Sequence, residues 1–484
     1  MSSVLNTIAS RLLSAASFGY GLFTMFLYGL LAIRHGYFFK GLSEKENLEL
    51  QLARDRLWNL SKEWNDFTHQ FLTLSNGFRF HYLCNEATPE TPKPATKPLI
   101  ILIHGFPDSW AVWRNIISSQ SLQEAATVVA VDLPGYGGSD QLEKYTATEV
   151  LDNLANFVVG VRARYGIDGE YIGVGVQRTV IVGHDWGCAL SMRLASEASV
   201  LADRFVLSNG PLIGLALSNA RRLINSSIKM FKSSIYSPIR SRSTLLKAIK
   251  TLKPVLIQTL LSGYIFVMLL PMVFVQYLGT GRNYCFLRLI HRGSYGKDNK
   301  AFTPQDAAEC MASTMGPSQA ECNTKTPSGE EYPTTVKNER ALSNFHHMAS
   351  YYRDGAVTRR WHKSVETVAN IHTISQGNEL RRASSGAGMF DESPAGVLKA
   401  SSTIIWGKND RALEPHLCLG GISDYMVGRS QVVELPRSGH FTPIERESRV
   451  VLERVAEWAV NGEREDVGKV VEGCYEKAVV TVRK

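Results

Sequence analysis

The sequence predicts an α/β protein with a mostly parallel sheet, an inserted helical cap domain and an N-terminal transmembrane helix. From Leu99 onward, short and fully apolar runs alternate with helical stretches, which is typical of parallel strands buried on both faces. The long interval between Asn209 and Ser402 is largely helical and apolar or basic, which indicates a domain inserted between two strands. An uncharged segment near the N-terminus indicates the membrane helix.

This N-terminal segment, from Leu12 to Ile33, contains 22 residues and no charged side chain. As an α-helix it would span about 33 Å, against roughly 30 Å of bilayer hydrocarbon. We therefore expect residues 1–41 to form a retained single-pass anchor, with a cleaved signal peptide or a buried core helix as the alternatives. Because Arg11 and Arg34 lie on its two flanks, the charges leave the orientation of the span undecided.

The rest of the 484 residues is too long for a single compact core. A helix-compatible connector is followed by two alternating runs around Asn76-Gly77, a strong signal for a β-hairpin. We expect a core in two parts, at residues 42–210 and 371–462. The cap is expected at residues 211–370, with a mobile loop near 311–338, and a C-terminal tail at 463–484.

Charge is distributed unevenly along the chain. The formal net charge is +8, yet fourteen Lys and Arg and no Asp or Glu lie between Arg204 and Lys297, so the remainder is net acidic. Nine of these basic residues lie between Arg221 and Lys253, and we expect them to contact an anionic membrane leaflet. Membrane lipid, and no nucleic acid, is therefore the expected macromolecular partner.

The uncharged segment Pro254–Tyr277 is long enough to be taken for a second membrane span. It contains Gln258 and an internal Pro271, so a pair of cap helices is favoured, either buried against the core or resting on the membrane.

The seven cysteines are scattered, without a Cys-x-x-Cys pair, which indicates neither a zinc site nor a disulfide framework. Reduced thiols facing the cytosol are the expectation. Because the cytoplasmic leaflet is the anionic one, the basic cap also favours a cytosolic position for the folded domains. We expect the membrane to be that of the endoplasmic reticulum.

Candidate chemistry begins at Gly183-His184-Asp185-Trp186-Gly187, directly after the apolar run TVIV. A small residue two positions before and two after the central side chain permits the tight strand-to-helix turn that exposes a nucleophile. The serine version, Gly-x-Ser-x-Gly, does not occur in the sequence, so Asp185 is the expected nucleophile and an alkyl ester its intermediate. The alternative is that Asp185 only caps the following helix.

Three further groups follow other apolar runs. The loop His104–Pro107 is placed so that the backbone amides of Phe106 and Trp186 would form an oxyanion hole, unless it is an ordinary turn. His440 follows the last apolar run and is the expected base, with a surface histidine as the alternative. Asp410 is the expected orienting acid, although aspartate is also common in turns. The order nucleophile, acid, histidine is that of α/β-hydrolases.

Five motifs together resemble the epoxide hydrolases of the α/β-hydrolase superfamily: HGFPDSW from His104, DLPGYGGSD from Asp132, GHDWG from Gly183, WGKND from Trp406 and SGHF from Ser438. The resemblance covers residues 66–460, without the long cap insertions. It implies the α/β-hydrolase fold. Haloalkane dehalogenases also carry an Asp at the same turn, so the core motifs do not separate the two families.

The resemblance implies two cap tyrosines that hydrogen-bond and protonate the epoxide oxygen. One family pattern, Ser-x-Tyr before an apolar run and Leu-Pro, matches Tyr264. The second tyrosine precedes an arginine, which matches Tyr352, with Tyr351 as its rival. Substrate contacts are expected from His104, Pro107 and Trp186.

The implied reaction converts an apolar epoxide and water to a vicinal diol through an ester on Asp185, which water activated by His440 then hydrolyses. No cofactor and no metal are expected. The cap is long, and the anchor is shared only with microsomal-type members. Both features leave the particular epoxide open. The sequence does not decide the oligomeric state. The alternatives are a haloalkane or haloacid dehalogenase with the same Asp/His/Asp site, and a non-catalytic membrane-associated protein of this fold.

Overall fold

A nine-stranded sheet forms the centre of the computed structural model, which describes residues 2–89, 94–168, 177–236, 242–294, 303–338, 344–382 and 396–482. The strands in the described part of the chain are β1 Thr68–Thr73, β2 Arg79–Cys84, β3 Leu99–Ile103, β4 Thr127–Val131, β5 Thr179–His184, β6 Arg204–Ser208, β7 Ser402–Gly407, β8 Gln431–Leu435 and β9 Val479–Val482. Their order in the sheet is β1-β2-β4-β3-β5-β6-β7-β8-β9.

Strands β3 to β8 are parallel to one another, which confirms the predicted parallel sheet. Every residue of β3 to β7 is buried, because helices cover both faces and the sequences of these strands are almost entirely apolar. The carboxyl ends of all these strands meet at one edge, so the loops that follow them lie close together.

Antiparallel strands complete the sheet on both sides. The predicted hairpin is confirmed: β1 and β2 pair around Asn76-Gly77, and Gly77 adopts the positive φ of 84° that this turn requires. Val479–Val482, within the predicted tail, instead forms the short edge strand β9 on β8. Its sequence, Val-Val-Thr-Val, is rich in β-branched residues that favour strands, but it lacks the alternation of apolar and polar residues.

The helices in the described residues are α1 Ser2–Arg34, α2 Glu44–Trp58, α3 Arg114–Ile117, α4 Gln120–Ala125, α5 Ala147–Arg164, α6 Trp186–Glu197, α7 Ile213–Tyr236, α8 Arg242–Leu261, α9 Gly263–Met268, α10 Met272–Ser294, α11 Pro304–Met315, α12 Gln319–Cys322, α13 Thr334–Asn338, α14 Phe345–Asp354, α15 Val365–Arg382, α16 Pro415–Leu419, α17 Arg446–Val460 and α18 Val467–Glu472. Helices α7 to α14 lie between β6 and β7 in the chain and form the predicted cap. Helix α15 packs on α5, where Asn370 Nδ2 donates to Asn156 Oδ1 at 3.1 Å, so the core resumes at α15 and slightly before residue 371.

The expected mobile loop near residues 311–338 is not a loop throughout. Helix α11 continues to Met315 and packs on α2, where Trp58 Nε1 donates to Ala312 O at 2.8 Å. The polar sequence that suggested a solvated loop has another cause: Ser318 and Glu321 form a capping box at the start of α12, and Glu321 is buried. That expectation is therefore wrong for a large part of the segment.

The N-terminal helix α1 is the one described helix that is long and apolar enough to cross a membrane, over Ser10–Arg34. The second uncharged segment, Pro254–Tyr277, is divided among α8, α9 and α10, with a break before Pro271. It therefore forms cap helices, as favoured from the sequence, and not one continuous span.

Candidate active site

Asp185 lies at a sharp turn between β5 and α6. Its φ of 53° and ψ of −115° are rarely adopted by residues other than glycine, and such a conformation costs about 1–3 kcal/mol. The turn is tight because Gly187 lies against β3: a Cβ at that position would be 2.1 Å from Ile103 O. A Cβ on Gly183 would likewise be 2.5 Å from Gly187 O. The glycines of the motif thus make room for the turn that exposes Asp185.

The Asp185 carboxylate is held by a backbone donor from the loop after β3. The amide of Phe106 donates to Asp185 Oδ1 at 2.7 Å, and the amide nitrogen of Trp186 lies beside the same loop, 2.7 Å from where a Cβ of Gly105 would be. Burial raises the pKa of Asp185, but hydrogen bonding and the charge of His440 outweigh burial and lower it below its ordinary value. Asp185 is therefore ionised and able to act as a nucleophile.

His440 lies between two carboxylates. Its Nε2 is 3.4 Å from Asp185 Oδ2, and its Nδ1 is 2.9 Å from Asp410 Oδ2. Burial lowers the pKa of His440, but the charge of Asp410 and the hydrogen bonds to both carboxylates raise it well above its ordinary value. The ring is therefore protonated beside an ionised Asp185.

Asp410 is buried with its hydrogen-bonding capacity largely used. Its Oδ1 accepts from the amides of Ala412 at 2.7 Å and Leu413 at 3.0 Å, and its Oδ2 accepts from Asn209 Nδ2 at 2.6 Å as well as from His440. These donors fix the carboxylate that orients the histidine ring.

Three residues of the site were not identified from the sequence. Asn209, at the end of β6, bridges Asp410 and the amide of Gly407, which donates to its Oδ1 at 3.1 Å. His184 is buried, and burial lowers its pKa to about 4, so the ring is neutral. Its Nε2 donates to His440 O at 2.8 Å, because a carbonyl oxygen can only accept. Glu445 accepts from the amide of Gly439 at 2.8 Å. The partners of Asn209 and His184 are about 200 or more residues away in the chain, whereas Glu445 bonds a residue only six positions before it.

The two candidate tyrosines face Asp185 from the cap. Tyr264 is the second residue of α9, Tyr352 lies on α14, and their rings meet edge to face with centroids 5.7 Å apart. Both line the same pocket as Asp185. Burial raises the pKa of each phenol well above its ordinary value, and the nearby Asp185 carboxylate raises it further. Both tyrosines therefore stay protonated and can donate a hydrogen bond. Tyr351 is fully buried and donates to Pro134 O at 2.9 Å.

The expected substrate contacts differ in their outcome. Pro107 lines the pocket beside Phe106. His104 is fully buried, where its ring bonds Gly105 O at 2.9 Å and accepts from the amide of Leu133 at 2.9 Å, so it holds the loop and the geometry does not support a substrate contact. The side chain of Trp186 packs on Tyr352, with centroids 4.8 Å apart, and is not among the described residues that line the pocket.

The pocket above Asp185 has a volume of about 820 Å³, toward the upper end of the range for small-molecule sites. Its floor and walls combine Asp185, His440, Tyr264 and Tyr352 with residues of α1, α10 and the loops after β7 and β8.

The topology is that of an α/β-hydrolase fold with Asp185 at the turn between β5 and α6, and the comparisons with known proteins agree on the fold. Residues 100–277 match the model of the family described as Alpha/beta hydrolase family. This region is therefore similar to that family, and the resemblance to epoxide hydrolases is confirmed by sequence similarity to curated members.

Epoxide hydrolase 3 of Mus musculus is 30% identical over 154 residues, which cover 30% of this chain and 36% of that protein. Epoxide hydrolase B of Mycobacterium tuberculosis is 34% identical over 127 residues, covering 26% and 31%. The chain thus spans about a third of the length of these relatives. A solved epoxide hydrolase of Bacillus megaterium is 18% identical with a TM-score of 0.45, covering 81% of this chain and 99% of that one.

Proposed function

We propose that the protein is an epoxide hydrolase, which converts an apolar epoxide and water to a vicinal diol. The observation that carries the proposal is the placement of an ionised Asp185 between a backbone donor, the His440–Asp410 pair and two protonated tyrosines of the cap. The similarity to curated epoxide hydrolases supports the same reaction.

In the first step, an oxygen of Asp185 attacks a ring carbon and the carbon–oxygen bond of the epoxide breaks. Negative charge develops on the departing oxygen, and Tyr264 and Tyr352 donate hydrogen bonds to it, one of them supplying the proton. The product is an alkyl ester of Asp185. The reaction up to this point uses no water, so the largely apolar pocket suits it.

In the second step, His440 first gives the proton that it holds to the tyrosinate, because esterification has removed the Asp185 charge that stabilised the protonated ring. Water then attacks the ester carbonyl, and neutral His440 takes one of its protons. Charge then develops on the carbonyl oxygen, and the Phe106 amide is already directed at Asp185 Oδ1. Trp186, the first residue of α6, contributes the second amide. Collapse of this intermediate breaks the ester bond, and the departing alkoxide takes the second proton of the water to give the diol. Asp185 is again a carboxylate beside a protonated His440, as at the start of the cycle.

The dehalogenase alternative would use the same Asp185 and His440 but would release halide, and it has no need for two protonated tyrosines above the nucleophile. A direct test measures diol release from a panel of epoxides beside halide release from haloalkanes and haloacids. Diol without halide supports the proposal. Halide without diol would establish a dehalogenase, and neither product would favour a non-catalytic protein.

The proposed setting is a membrane. Helix α1 passes the length and hydropathy criteria for a single span, and the basic helices α7 and α8 suit an anionic leaflet. We place α1 as a retained anchor in the endoplasmic reticulum with the catalytic domain in the cytosol. A glycosylation-site and protease-protection map of the full chain in microsomes tests this orientation, and protection of the catalytic domain would exclude it.

A further inference from the structure

Helix α1 has two different faces. Its inward face carries small or polar residues at helical spacing, including Gly21, Thr24 and Ala32, which are buried against the cap. Its outward face carries large apolar residues such as Phe26, which is 61% exposed, and Leu30, which is 45% exposed. This arrangement is the reverse of a soluble amphipathic helix and is typical of a membrane helix that packs on protein through small residues.

The inward face of α1 is joined to the part of the cap that carries Tyr264. The hydroxyl of Tyr20 donates to Thr259 O at 3.0 Å, and the Tyr20 ring meets Phe266 edge to face at 5.0 Å. A Cβ at Gly21 would lie 2.6 Å from Phe266 O, so the two helices are as close as backbones can pack. Helix α1 is therefore part of the cap's structure as well as a candidate anchor.

The last turns of α1 also line the pocket. Tyr28 and Leu31 of α1, and His35 directly after it, are lining residues of the pocket, as are Phe286 and Ile290 of α10. The rings of Tyr28 and Phe286 are 5.4 Å apart. The same continuous pocket reaches Asp185, so residues of the apolar N-terminal helix and the nucleophile share one cavity.

The apolar surface continues from α1 onto the neighbouring cap helices. Leu260, next to the Thr259 that binds Tyr20, is 72% exposed, and Val273 at the start of α10 is 75% exposed. The residues that line the pocket are mixed in character, because Arg292 of α10 and Arg411 and Arg437 in loops of the core lie among the apolar ones. Apolar surface beside basic side chains is the combination expected at a membrane surface.

We infer that α1 is a wall of the substrate entrance, and that the enzyme takes long-chain apolar epoxides laterally from the lipid, through the opening between α1 and α10. This rests on the proposed function and adds the substrate class and the route. The pocket of about 820 Å³ is larger than a small epoxide requires. Such epoxides partition into lipid, and each buried CH₂ contributes about 0.8 kcal/mol to that partition, so a route through water would be costly for them.

The test uses the full-length protein in phosphatidylcholine vesicles and two leucines that are neighbours in the chain. Leu31→Trp places an indole in the opening, whereas Leu30→Trp places it on the outward face of the same helix, because adjacent residues point about 100° apart. We expect Leu31→Trp to lower kcat/KM for a long-chain alkyl epoxide at least tenfold relative to kcat/KM for a small, water-soluble epoxide. Leu30→Trp should leave that ratio at the wild-type value. An unchanged ratio in Leu31→Trp, or the same change in both variants, would overturn the inference.

A second measurement needs no turnover. Leu31→Cys and Leu30→Cys are labelled in vesicles with a lipid-soluble maleimide, with and without a long-chain vicinal diol, and wild-type labelling is subtracted. The diol should protect Leu31→Cys and not Leu30→Cys, and equal labelling with and without diol would contradict the route. If no epoxide is hydrolysed but Leu31→Cys is protected, the proposed reaction fails while the entrance stands.

Discussion

The Nε2 atom of His440 lies 3.4 Å from Oδ2 of Asp185, while the opposite nitrogen of the same ring lies 2.9 Å from Asp410. The negative charge of Asp185 thus helps to keep His440 protonated, and His440 is the proposed base for hydrolysis of the ester that later forms on Asp185. When Asp185 becomes an ester, it loses its negative charge, and one of the two carboxylates that hold the proton on His440 disappears. The pKa of His440 then falls, and the ring becomes a base at the stage that requires one.

The two steps should separate when the base is removed. His440→Gln keeps a polar side chain beside Asp185 but cannot accept a proton, so alkylation should continue while ester hydrolysis slows by about 10²–10⁴-fold. Mass spectrometry of this variant after incubation with an epoxide should show a substrate-mass adduct on the peptide that contains Asp185. An unmodified Asp185 peptide, in a preparation whose wild type turns over, would exclude the ester mechanism.

The same relationship predicts opposite pH behaviour for the two steps. Alkylation needs ionised Asp185, whose pKa is lowered, so its rate should stay constant down to strongly acidic pH. Ester hydrolysis needs neutral His440, so its rate should rise with pH through the pKa that the ring has in the ester. Rapid-quench measurement of the ester between about pH 5 and pH 9 should show most ester at the acidic end. An ester fraction that rises with pH would contradict this.

The cap tyrosines should act on the first step alone. Loss of one donor to a developing oxyanion costs about 10²–10³-fold, so Tyr264→Phe and Tyr352→Phe should each slow alkylation by roughly that factor, and the double change should nearly abolish it. Tyr351→Phe is the matched control: its hydroxyl binds Pro134 O, so its loss should cost about 1 kcal/mol of stability with normal alkylation. A damaging Tyr351→Phe beside a silent Tyr352→Phe would reverse the assignment.

Asn209 should matter through Asp410. Asn209→Ala removes a donor to a buried carboxylate, a bond worth about 1.5–3 kcal/mol, and we expect ester hydrolysis to slow about tenfold with alkylation little changed. Asn153→Ala provides the control, because Asn153 is equally buried but bonds Glu149 O, away from the site. Equal losses in both variants, or in both steps, would show a general effect on folding.

The basic stripe on α8 predicts salt-sensitive membrane binding. Lys247, Lys250 and Lys253 are exposed and spaced three residues apart. Each charge near an anionic surface contributes about 1 kcal/mol, so changing all three to Gln should weaken binding to anionic vesicles by about a hundredfold at low salt. Binding to neutral vesicles should not change.

The control changes three exposed lysines outside the cap, Lys144, Lys469 and Lys477, to Gln. It removes the same net charge, so a similar loss of binding in this variant would refute a specific role for the α8 stripe.

Local patterns were enough to predict three residues that lie together at the candidate site. Asp185 is flanked by the glycines that its turn requires, and His440 and Asp410 each follow an apolar run that ends at the same sheet edge. Asn209 was missed because its role depends on a contact with Asp410, which lies 201 residues away in the chain. A polar residue directly after a buried strand was the signal that could have identified it.

The cap was harder to predict. The capping box of Ser318 and Glu321 resembles a polar loop in the sequence, because the side chains that cap helices are also common in solvated loops. The packing of α1 on α9 joins segments more than 200 residues apart. Its only local sign was the repeat of small residues, Gly21 and Thr24 among them, in a helix otherwise made of large apolar ones.

The close packing of α1 on α9 has a practical consequence for anyone who prepares a soluble version of the enzyme. A chain shortened to begin after residue 41 would uncover Gly263, Phe266 and the now fully buried Leu270, all within two turns of Tyr264. Water would reach α9, which carries Tyr264, the proposed proton donor, and the part of the pocket that α1 lines would be missing. Activity measured on such a shortened protein would therefore not represent the full-length protein, because the pocket would be wider open and Tyr264 less ordered.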